Sequence, residues 1–449
     1  MPVSPARAAA FEILLKVTRE NSYASELLHS ARFAKLSVAD HGLATELTMG
    51  VLRWQGVLDR ALGKASSQQL VRLDAEVLVG LRIGLYQLQF LSRIPARAAI
   101  FESVELVKST RKKSAAPFVN AVLRKVVRQA SESPSLDARL ATISGSADEA
   151  ALAQNSSHPE WLVQRWIKAY GLERARLICA HNQSAPATSI HVYDDEALAE
   201  LSPSGVKIEP GQILSAARTV ISGDVSRTEA FRHGRITVQD EASQLVALLV
   251  GHGESILDCC AAPGGKAALL ARRNPASQIV AADLHPHRAR LLRRLVRAAN
   301  IRVIAGDARA LPVAKEFNRI LADVPCSGTG TLARNPEIKW RLQPADLTDL
   351  QSRQIAILKS ALSHLAPGGR LVYSTCSLER EENEEVIEAA LHGVSGFKIA
   401  DCRDDLMRLR GSGDLVVDHI DSLLAGPFLR TIPGQQPCDG FFAAMIERK

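Results

Sequence analysis

Apolar and polar residues follow different periods in different parts of the chain. In residues 1–135, apolar side chains recur at steps of three and four, as in Ala8, Phe11 and Leu15, and few Gly or Pro residues interrupt them. This spacing is that of amphipathic helices, so the pattern predicts an all-helical domain. Residues 136–157 are rich in Ser, Ala, Asp and Gly, which is typical of a linker with room for one helix.

The pattern changes after residue 157. A helix is expected in the segment HPEWLVQRWIKAYG, with Pro159 at its start and Gly171 as its stop. The segments ATSIHVY and GRITVQD alternate between apolar and polar positions, with Gly and Pro residues between them, and they predict strands. Residues 158–240 are therefore expected to form a small α+β domain.

Residues 241–449 contain short strand candidates that are separated by helical stretches. The five candidates are SILDCC, SQIVAADL, IRVIAGD, NRILADVPC and GRLVYSTC. Strands that alternate with helices imply right-handed crossovers and a mostly parallel sheet. The predicted fold is a multi-domain protein with an all-α domain, a small α+β domain and an α/β Rossmann-like domain.

Each of these predicted strands ends in a polar or reactive residue. The residues are Asp258, Asp283, Asp307, Asp323 with Cys326, and Cys376. In an open α/β sheet, the carboxyl ends of parallel strands share one edge, and ligands bind there. A single Asp at such a position is commonly a helix N-cap. Four in succession predict a binding site.

The loop after the first of these strands has the features of a cofactor site. Gly264 and Gly265 let the backbone approach a ligand where a helix begins. Neither a GxGxxG fingerprint nor a P-loop is present, while Asp283 suits ribose hydroxyls and Asp307 suits an adenine amino group. S-adenosyl-L-methionine fits this set, and NAD is the alternative. The predicted cofactor-binding residues are Cys260, Ala261, Ala262, Pro263, Gly264, Gly265, Lys266, Asp283, Asp307 and Asp323.

Composition bears on the thiols and on the partner. The chain has seven cysteines, an odd number, and no secretion signal, which favours reduced thiols in the cytoplasm. Cys326 and Cys376 each follow a strand; a zinc site is an alternative role for them, but neither belongs to a CxxC pair. The net charge of +7 favours an anionic partner. No apolar run approaches the roughly 20 residues needed to cross a membrane.

Two groups of basic residues are candidates for contacts with such a partner. The first group is Arg111, Lys112, Lys113, Arg124, Lys125 and Arg128. The second group is Arg288, Arg290, Arg293, Arg294 and Arg297, in the helix that follows Asp283. A solvated helix face and a phosphate-binding surface both account for such runs, and the sequence leaves both open.

Four segments resemble motifs of the RNA cytosine-5 methyltransferases. LDCCAAPGGKA is similar to their cofactor motif, DVPCSGTGTLARNPEIKW to their substrate-side cysteine motif, YSTCSLEREENEEV to their nucleophile motif, and DGFFAAMIERK to their usual end. The helical stretch resembles the NusB-type RNA-binding domain through Arg7, Ala10 and the segments AIFESVELVKS and FVNAVLRKV. This combination is similar to the Sun/Fmu-type subfamily, the small-subunit ribosomal RNA methyltransferases B. Ala267 departs from the Thr that is usual in the family.

The resemblance implies roles for individual residues. Cys376 would be the nucleophile, Cys326 would act in the resolving step, and Asp323 would contact the cytosine edge or the cofactor. Lys266 would line the pocket and favour a thiolate.

The resemblance also implies a substrate and a setting. It points to a cytoplasmic enzyme that uses S-adenosylmethionine on 16S ribosomal RNA, and we expect a monomer without metal or membrane contact. The same chemistry on transfer RNA, and an RNA-binding or assembly protein with an inactive methyltransferase half, are the alternatives.

Overall fold

A computed structural model of the chain describes residues 3–33, 35–129 and 134–449. These residues form two compact units. The first, which we call the helical unit, runs to Ala185 and also contains Leu332–Arg341. The second, the catalytic unit, comprises Pro186–Thr331 and Leu342–Lys449. Nothing in the described residues forms a helix long and apolar enough to span a membrane.

Helices make up the first part of the chain, as the apolar spacing predicts. They are α1 Pro5–Glu20, α2 Ala24–Leu28, α3 Val38–Ala65, α4 Ala75–Phe90, α5 Ala96–Lys108, α6 Ala116–Gln129, α7 Leu136–Ser144, α8 Glu149–Ser156, α9 Glu160–Tyr170 and α10 Leu172–Gln183. Leu58 of α3 and Leu81 of α4 are fully buried between these helices. Arg7 is buried as well, and its Nε donates to Gln87 Oε1 at 2.7 Å, which ties α1 to α4.

Two helices, α7 and α8, occupy most of residues 136–157, where the sequence predicted a linker with room for one helix. The side chains of Ser135 and Asp148 cap these helices by accepting hydrogen bonds from backbone N–H groups. Ile143 and Leu152 are fully buried. The two helices are short and rich in small polar residues, so each contributes little apolar signal to the sequence.

Residues Leu332–Arg341, which we call the returning segment, pack inside the helical unit although they follow Cys326 closely in sequence. The segment ends in the short helix α16, Ile338–Arg341. Lys339 Nζ donates to the backbone oxygens of Arg53 at 2.8 Å and Ser157 at 3.1 Å. Trp340 Nε1 donates to Leu52 O at 2.8 Å. The helical unit is therefore built from two separate pieces of the chain.

The predicted small α+β domain contains a four-stranded antiparallel sheet in the order β2-β3-β1-β4. Its elements are β1 Thr188–Val192, α11 Asp195–Leu201, β2 Lys207–Pro210, β3 Ala217–Ser222, α12 Glu229–Arg232 and β4 Ile236–Val238. The helix predicted between Pro159 and Gly171 is confirmed as α9, but it belongs to the helical unit. The sheet instead belongs to the catalytic unit.

The rest of the catalytic unit is built on a nine-stranded mixed sheet in the order β11-β12-β13-β9-β8-β5-β6-β7, with β10 paired to β13. Its elements are α13 Glu241–Val250, β5 Ser255–Asp258, α14 Gly265–Arg273, β6 Gln278–Asp283, α15 Pro286–Leu295, β7 Ile301–Ala305, β8 Phe317–Asp323, α17 Pro344–Ser363, β9 Leu365–Thr375, α18 Glu384–Leu391, β10 Phe397–Ala400, α19 Cys402–Gly411, β11 Leu424–Ala425, β12 Phe428–Arg430 and β13 Phe442–Arg448. The five predicted strands are confirmed as the parallel part, β5 to β9. The four antiparallel strands, β10 to β13, were not predicted.

Helices cover both faces of this sheet. Successive strand residues point to opposite faces, so Ile256 packs with α13, α14 and α19 while its neighbour Leu257 packs with α17 and α18. On β8, Leu321 lies on the same face of the sheet as Ile256, and Ile320 lies on the same face as Leu257. With both faces closed, the open edge at the carboxyl ends of the parallel strands is where functional side chains can meet a ligand. We call this edge the strand-end rim.

Candidate active site

The strand-end rim brings the predicted catalytic residues together. β8 lies between β5 and β9 in the sheet. Asp323 is the last residue of β8, Cys326 follows in the next loop, and Cys376 directly follows β9. The Sγ atoms of Cys326 and Cys376 lie 3.2 Å apart, and both thiols are free. Residues 50 positions apart in sequence thus form one thiol pair.

A close backbone contact fixes the two cysteine loops against each other. Gly330 N donates to Cys376 O at 2.9 Å. A Cβ atom on Gly330 would lie 2.2 Å from Gly440 O, a separation that no side chain tolerates. The second glycine of the CSGTG motif, Gly330, is therefore required by packing beside the thiol pair.

Lys266 provides a fixed positive charge at this site. Its Nζ lies 2.8 Å from Asp323 Oδ2, and Ser374 Oγ donates to Asp323 Oδ1 at 2.7 Å. Burial alone would lower the pKa of Lys266, but the attraction of Asp323, of the Cys376 thiolate and of Asp258 outweighs it and raises the pKa. The lysine is therefore charged at neutral pH.

The two thiols differ in their surroundings. The hydrogen bond to Cys376, then burial, then the negative charges of Cys376 and Glu382 raise the pKa of Cys326 well above its usual range. Cys376 instead interacts electrostatically with Lys266. The raised pKa favours a proton on the Cys326 sulfur.

Asp258 is a rim residue to which the sequence assigned no role. It is 1% exposed, and neither carboxylate oxygen accepts a hydrogen bond of normal geometry from any described residue. Burial, followed by the negative charge of Asp323, raises the pKa of Asp258 to about 7. Its position at the end of β5, just before the glycine loop, was the signal in the sequence that could have identified it.

A cavity of about 1140 Å³ adjoins these groups. All seven predicted loop residues, Cys260 to Lys266, line it, together with Asp258 and Asp323. Tyr193, which directly follows β1, and residues of the small sheet form another part of its wall. Basic side chains line it as well, namely Arg232, Arg272, Arg273, Arg294 and Arg297. Cys326 and Cys376 are not among the lining residues.

Asp283 and Asp307 also end or follow strands of the rim, but neither lines this cavity. Asp283 is buried, and its Oδ1 accepts from His285 N at 3.0 Å. Asp307 pairs with Arg309, whose terminal nitrogen lies 2.6 Å from Oδ2, and the hydrogen bonds of Arg309 lower the pKa of Asp307. Their expected contacts with ribose and adenine stay predictions.

No metal centre is evident among the residues that the structure describes, because no group of three or more His, Cys, Asp or Glu side chains is arranged to hold an ion.

Three sequence-family models match separate parts of the chain. The model described as 16S rRNA methyltransferase RsmB/F matches residues 245–447. The NusB family matches 4–128, and a ferredoxin-like domain of the RsmF/B-like methyltransferases matches 158–221. Over its full length, the chain is 33% identical to the probable ribosomal RNA small subunit methyltransferase B of Bacillus subtilis, with 100% of each protein covered. The chain belongs to the RsmB/F methyltransferase family.

A second relative and one solved structure are also similar to the chain over nearly its full length. The ribosomal RNA small subunit methyltransferase B of Vibrio vulnificus is 31% identical, and the match covers 99% of each chain. The crystal structure of PH0851 superposes with a TM-score of 0.80 over 99% of both chains at 22% identity, which shows the same fold. As an RsmB/F-type protein, the chain is an RNA methyltransferase whose cofactor is S-adenosyl-L-methionine.

The residues at the rim fit this cofactor, which carries a sulfonium and an ammonium group. The unpartnered carboxylate of Asp258 is a buried acceptor for positive charge beside the cavity. Gly264 has a φ of 123°, and a Cβ atom there would lie 2.7 Å from both Leu292 and Val296. Glycine is therefore required where the loop turns into α14, both by its positive φ and by the close packing of Leu292 and Val296.

Proposed function

We propose that this methyltransferase modifies carbon 5 of a cytosine in small-subunit ribosomal RNA through a transient covalent bond to Cys376. The observation that carries the proposal is the thiol pair, with 3.2 Å between the sulfur atoms, beside the charged Lys266–Asp323 pair. The names of the relatives support ribosomal RNA as the substrate. The reaction needs both thiols reduced, which suits the cytoplasm.

Cys376 begins the reaction. Carbon 5 of cytosine is too weak a nucleophile to accept a methyl group directly. Addition of the Cys376 thiolate to carbon 6 forms an S–C6 bond and moves the C5=C6 π electrons onto carbon 5. Lys266 favours the thiolate form needed for this addition. Asp323, held by Lys266 and Ser374, would accept a hydrogen bond from the N4 amino group of the base.

The loop from Cys260 to Lys266, together with Asp258, Asp283 and Asp307, would hold the cofactor. Bound S-adenosylmethionine supplies the electrophilic methyl group that carbon 5 takes up. The target base must be unpaired or flipped out, because carbon 6 is hidden in a stacked duplex.

Cys326 acts in the release step. Once Cys376 is a thioether, it carries no charge and no longer holds the Cys326 proton, so the largest cause of the raised pKa of Cys326 is removed. Cys326 can then lose its proton to solvent and take the proton of carbon 5. The C–H electrons restore the C5=C6 bond, the S–C6 bond breaks, and Cys376 leaves as a thiolate. One proton is released per turnover, and the resting thiol pair is restored.

Substitution of the two cysteines tests this mechanism. Cys376→Ala is expected to abolish methyl transfer, while Cys326→Ala is expected to accumulate a covalent RNA–protein adduct because release is blocked. The adduct is detected on denaturing gels after incubation with RNA and S-adenosylmethionine. Cys402→Ala, at a free cysteine buried in α19, is the matched control and should behave like the unmodified protein. An adduct with Cys376→Ala but none with Cys326→Ala would reverse the two assignments.

The substrate requires a separate experiment. Bisulfite sequencing of total RNA from cells with and without the protein should show one ribosomal cytosine that loses protection from conversion. Transfer RNA, the alternative substrate, serves as the internal comparison. Unchanged ribosomal RNA together with altered transfer RNA would refute ribosomal RNA as the substrate and leave the cysteine chemistry standing.

A further inference from the structure

Behind the thiol pair lies a buried carboxylate that the proposed reaction has not used. Glu382 is fully buried. Its Oε1 accepts from Ser327 N at 2.8 Å and from Gln354 Nε2 at 2.9 Å. Its Oε2 accepts from Ser377 Oγ at 2.5 Å and also from Ser327 Oγ. A buried carboxylate with four donors is strongly bound in place.

Two of the three residues that donate to Glu382 directly follow the thiols in sequence. Ser327 directly follows Cys326, and Ser377 directly follows Cys376. Gln354 Nε2 also donates to the backbone oxygen of Pro325 at 2.9 Å, so the residue before Cys326 is held through the same amide group. The Glu382 side chain therefore holds both cysteine loops through hydrogen bonds to residues next to the thiols.

Neighbouring contacts extend this network without reaching the cavity. Asn383 Nδ2 donates to Ser377 O at 2.9 Å, and Thr375 Oγ1 donates to Asn383 Oδ1 at 2.5 Å. Leu378 N donates to Thr329 Oγ1 at 2.9 Å, which links the second cysteine loop to the first. The backbone that follows Cys376 is thus held by the side chains of Asn383 and Thr329.

Opposite charges face the two sulfur atoms. The ammonium group of Lys266 interacts with Cys376, whereas the carboxylate of Glu382 acts on Cys326. A negative charge in a water-free interior disfavours a second negative charge close to it. The location of Glu382 therefore opposes ionisation of Cys326.

We propose that Glu382 is a positioning residue for the methyl-transfer cycle, which holds Cys326 against Cys376 and keeps Cys326 protonated until the RNA adduct has formed. The inference rests on the proposed function, because it assigns the two thiols different roles. Glu382 touches neither the substrate nor the cofactor in this scheme. It acts through Ser327, Ser377 and Gln354.

The charge of Glu382 can be tested without RNA. In a Cys376→Ser background, the rate at which iodoacetamide alkylates Cys326 is measured against pH by mass spectrometry. Adding Glu382→Gln should shift this profile to lower pH by about one unit, because a nearby negative charge has been removed. Glu241→Gln is the matched control: Glu241 is also buried and accepts three backbone hydrogen bonds, but it contacts neither cysteine loop. An unchanged profile in Glu382→Gln would refute the electrostatic part of the inference.

The positioning role is tested with both thiols present. Glu382→Gln should slow release of the covalent adduct by about tenfold or more, because a small misplacement of reacting groups costs up to ~100-fold in rate. If this variant fails to fold, Ser327→Ala replaces it; that change keeps the buried charge, so release should slow while the titration of Cys326 stays unchanged. Release at the unmodified rate in a folded variant would overturn the role.

The outcomes separate this inference from the proposed function. If the unmodified protein forms no adduct and transfers no methyl group to cytosine, the proposed function fails, whatever the alkylation profile shows. If the unmodified protein is active and Glu382→Gln releases its adduct normally, only the inference fails.

Discussion

At the scale of single residues, Asp258 combines features that make its charge sensitive to pH. It is buried, it accepts no hydrogen bond of normal geometry from the described residues, and it lies near the negative charge of Asp323. Its pKa is raised from 3.8 to about 7. Between these two values, the folded protein keeps a proton that the unfolded chain has lost, so the free energy of unfolding falls as pH rises.

This behaviour gives a pH-dependent prediction for Asp258→Asn. In the wild type, the loss of stability caused by the buried Asp258 carboxylate grows from pH 5 until the pKa of about 7 is passed. The free energy of unfolding of the variant should therefore rise by up to about 3 kcal/mol relative to wild type between pH 5 and pH 8, at about 1.4 kcal/mol per pKa unit. Urea denaturation at both pH values, with no cofactor added, measures the difference. Asp307→Asn is the control, because Arg309 keeps that carboxylate ionised over this whole range. Equal gains at both pH values would contradict the assignment.

How far the sequence predicted the site depends on the kind of signal each residue gives. Cys326, Cys376 and the glycine loop lie in short motifs at strand ends, and the parallel sheet brings strand ends together, so their proximity was predictable. The partner of Asp307 is Arg309, two residues away, which a strand-end argument does not reveal. Glu382 was visible only as one of several glutamates in its motif. Its importance depends on Ser327 and Gln354, which approach it only in the folded chain.

At the scale of elements, the returning segment is the clearest departure from a linear arrangement of domains. Its side chains meet backbone acceptors of α3 and of the residues after α8, as Trp340 does at Leu52 O. Glu337 accepts from Ala24 N at 2.8 Å at the start of α2. These bonds join residues 182 to 313 positions apart, and sequence periodicity carries no information about such pairs.

The contribution of this segment is testable with Trp340→Ala. Loss of the indole and of its hydrogen bond to Leu52 should lower the free energy of unfolding by about 3 kcal/mol. Phe101→Ala on α5, where the ring is 46% exposed, is the matched aromatic control and should change it by about 0.5 kcal/mol or less. Urea denaturation of the full chain measures both. A loss no greater than that of Phe101→Ala would show that the segment adds little to stability.

The elements that sequence reasoning missed share a physical cause. β13 lies in the run FFAAMIER, whose buried residues do not alternate with polar ones because both faces of the sheet are covered. α7 and α8 have 9 and 8 residues, which is too short for a helical period to stand out. The five parallel strands were predicted because each is a short apolar run, and helices follow β5, β6 and β8.

At the scale of the whole molecule, the structure locates basic residues that contribute to the net charge of +7. In the helical unit, Arg124 and Arg128 lie exposed on α6. In the catalytic unit, Arg294 and Arg297 are exposed at the cavity, and neither forms an ion pair or hydrogen bond within the described part of the chain. Arg272 stacks on Tyr193, with 4.3 Å from its guanidinium carbon to the ring centre. Such a wall suits the phosphates and bases of single-stranded RNA.

The cavity arginines give a prediction for RNA binding. The double variant Arg294→Gln with Arg297→Gln should weaken RNA binding and reduce the slope of log affinity against log salt by about 1.4, since each phosphate contact to a single strand contributes about 0.7. Filter binding at several salt concentrations measures the slope. Arg353→Gln, on α17 and paired with Asp349, is the control. An unchanged slope would indicate that these arginines are only solvated.

The returning segment also restricts how such an enzyme can be recombined. A gene fusion that joined residues 1–185 of one relative to the remainder of another would pair native helices with a foreign Trp340 and Lys339. A functional chimera must therefore exchange Leu332–Arg341 along with the helices that hold it, although some 150 residues of the catalytic unit lie between them. Because that segment continues directly from the Cys326 loop, genetic exchange of the helical unit also alters the chain close to Cys326.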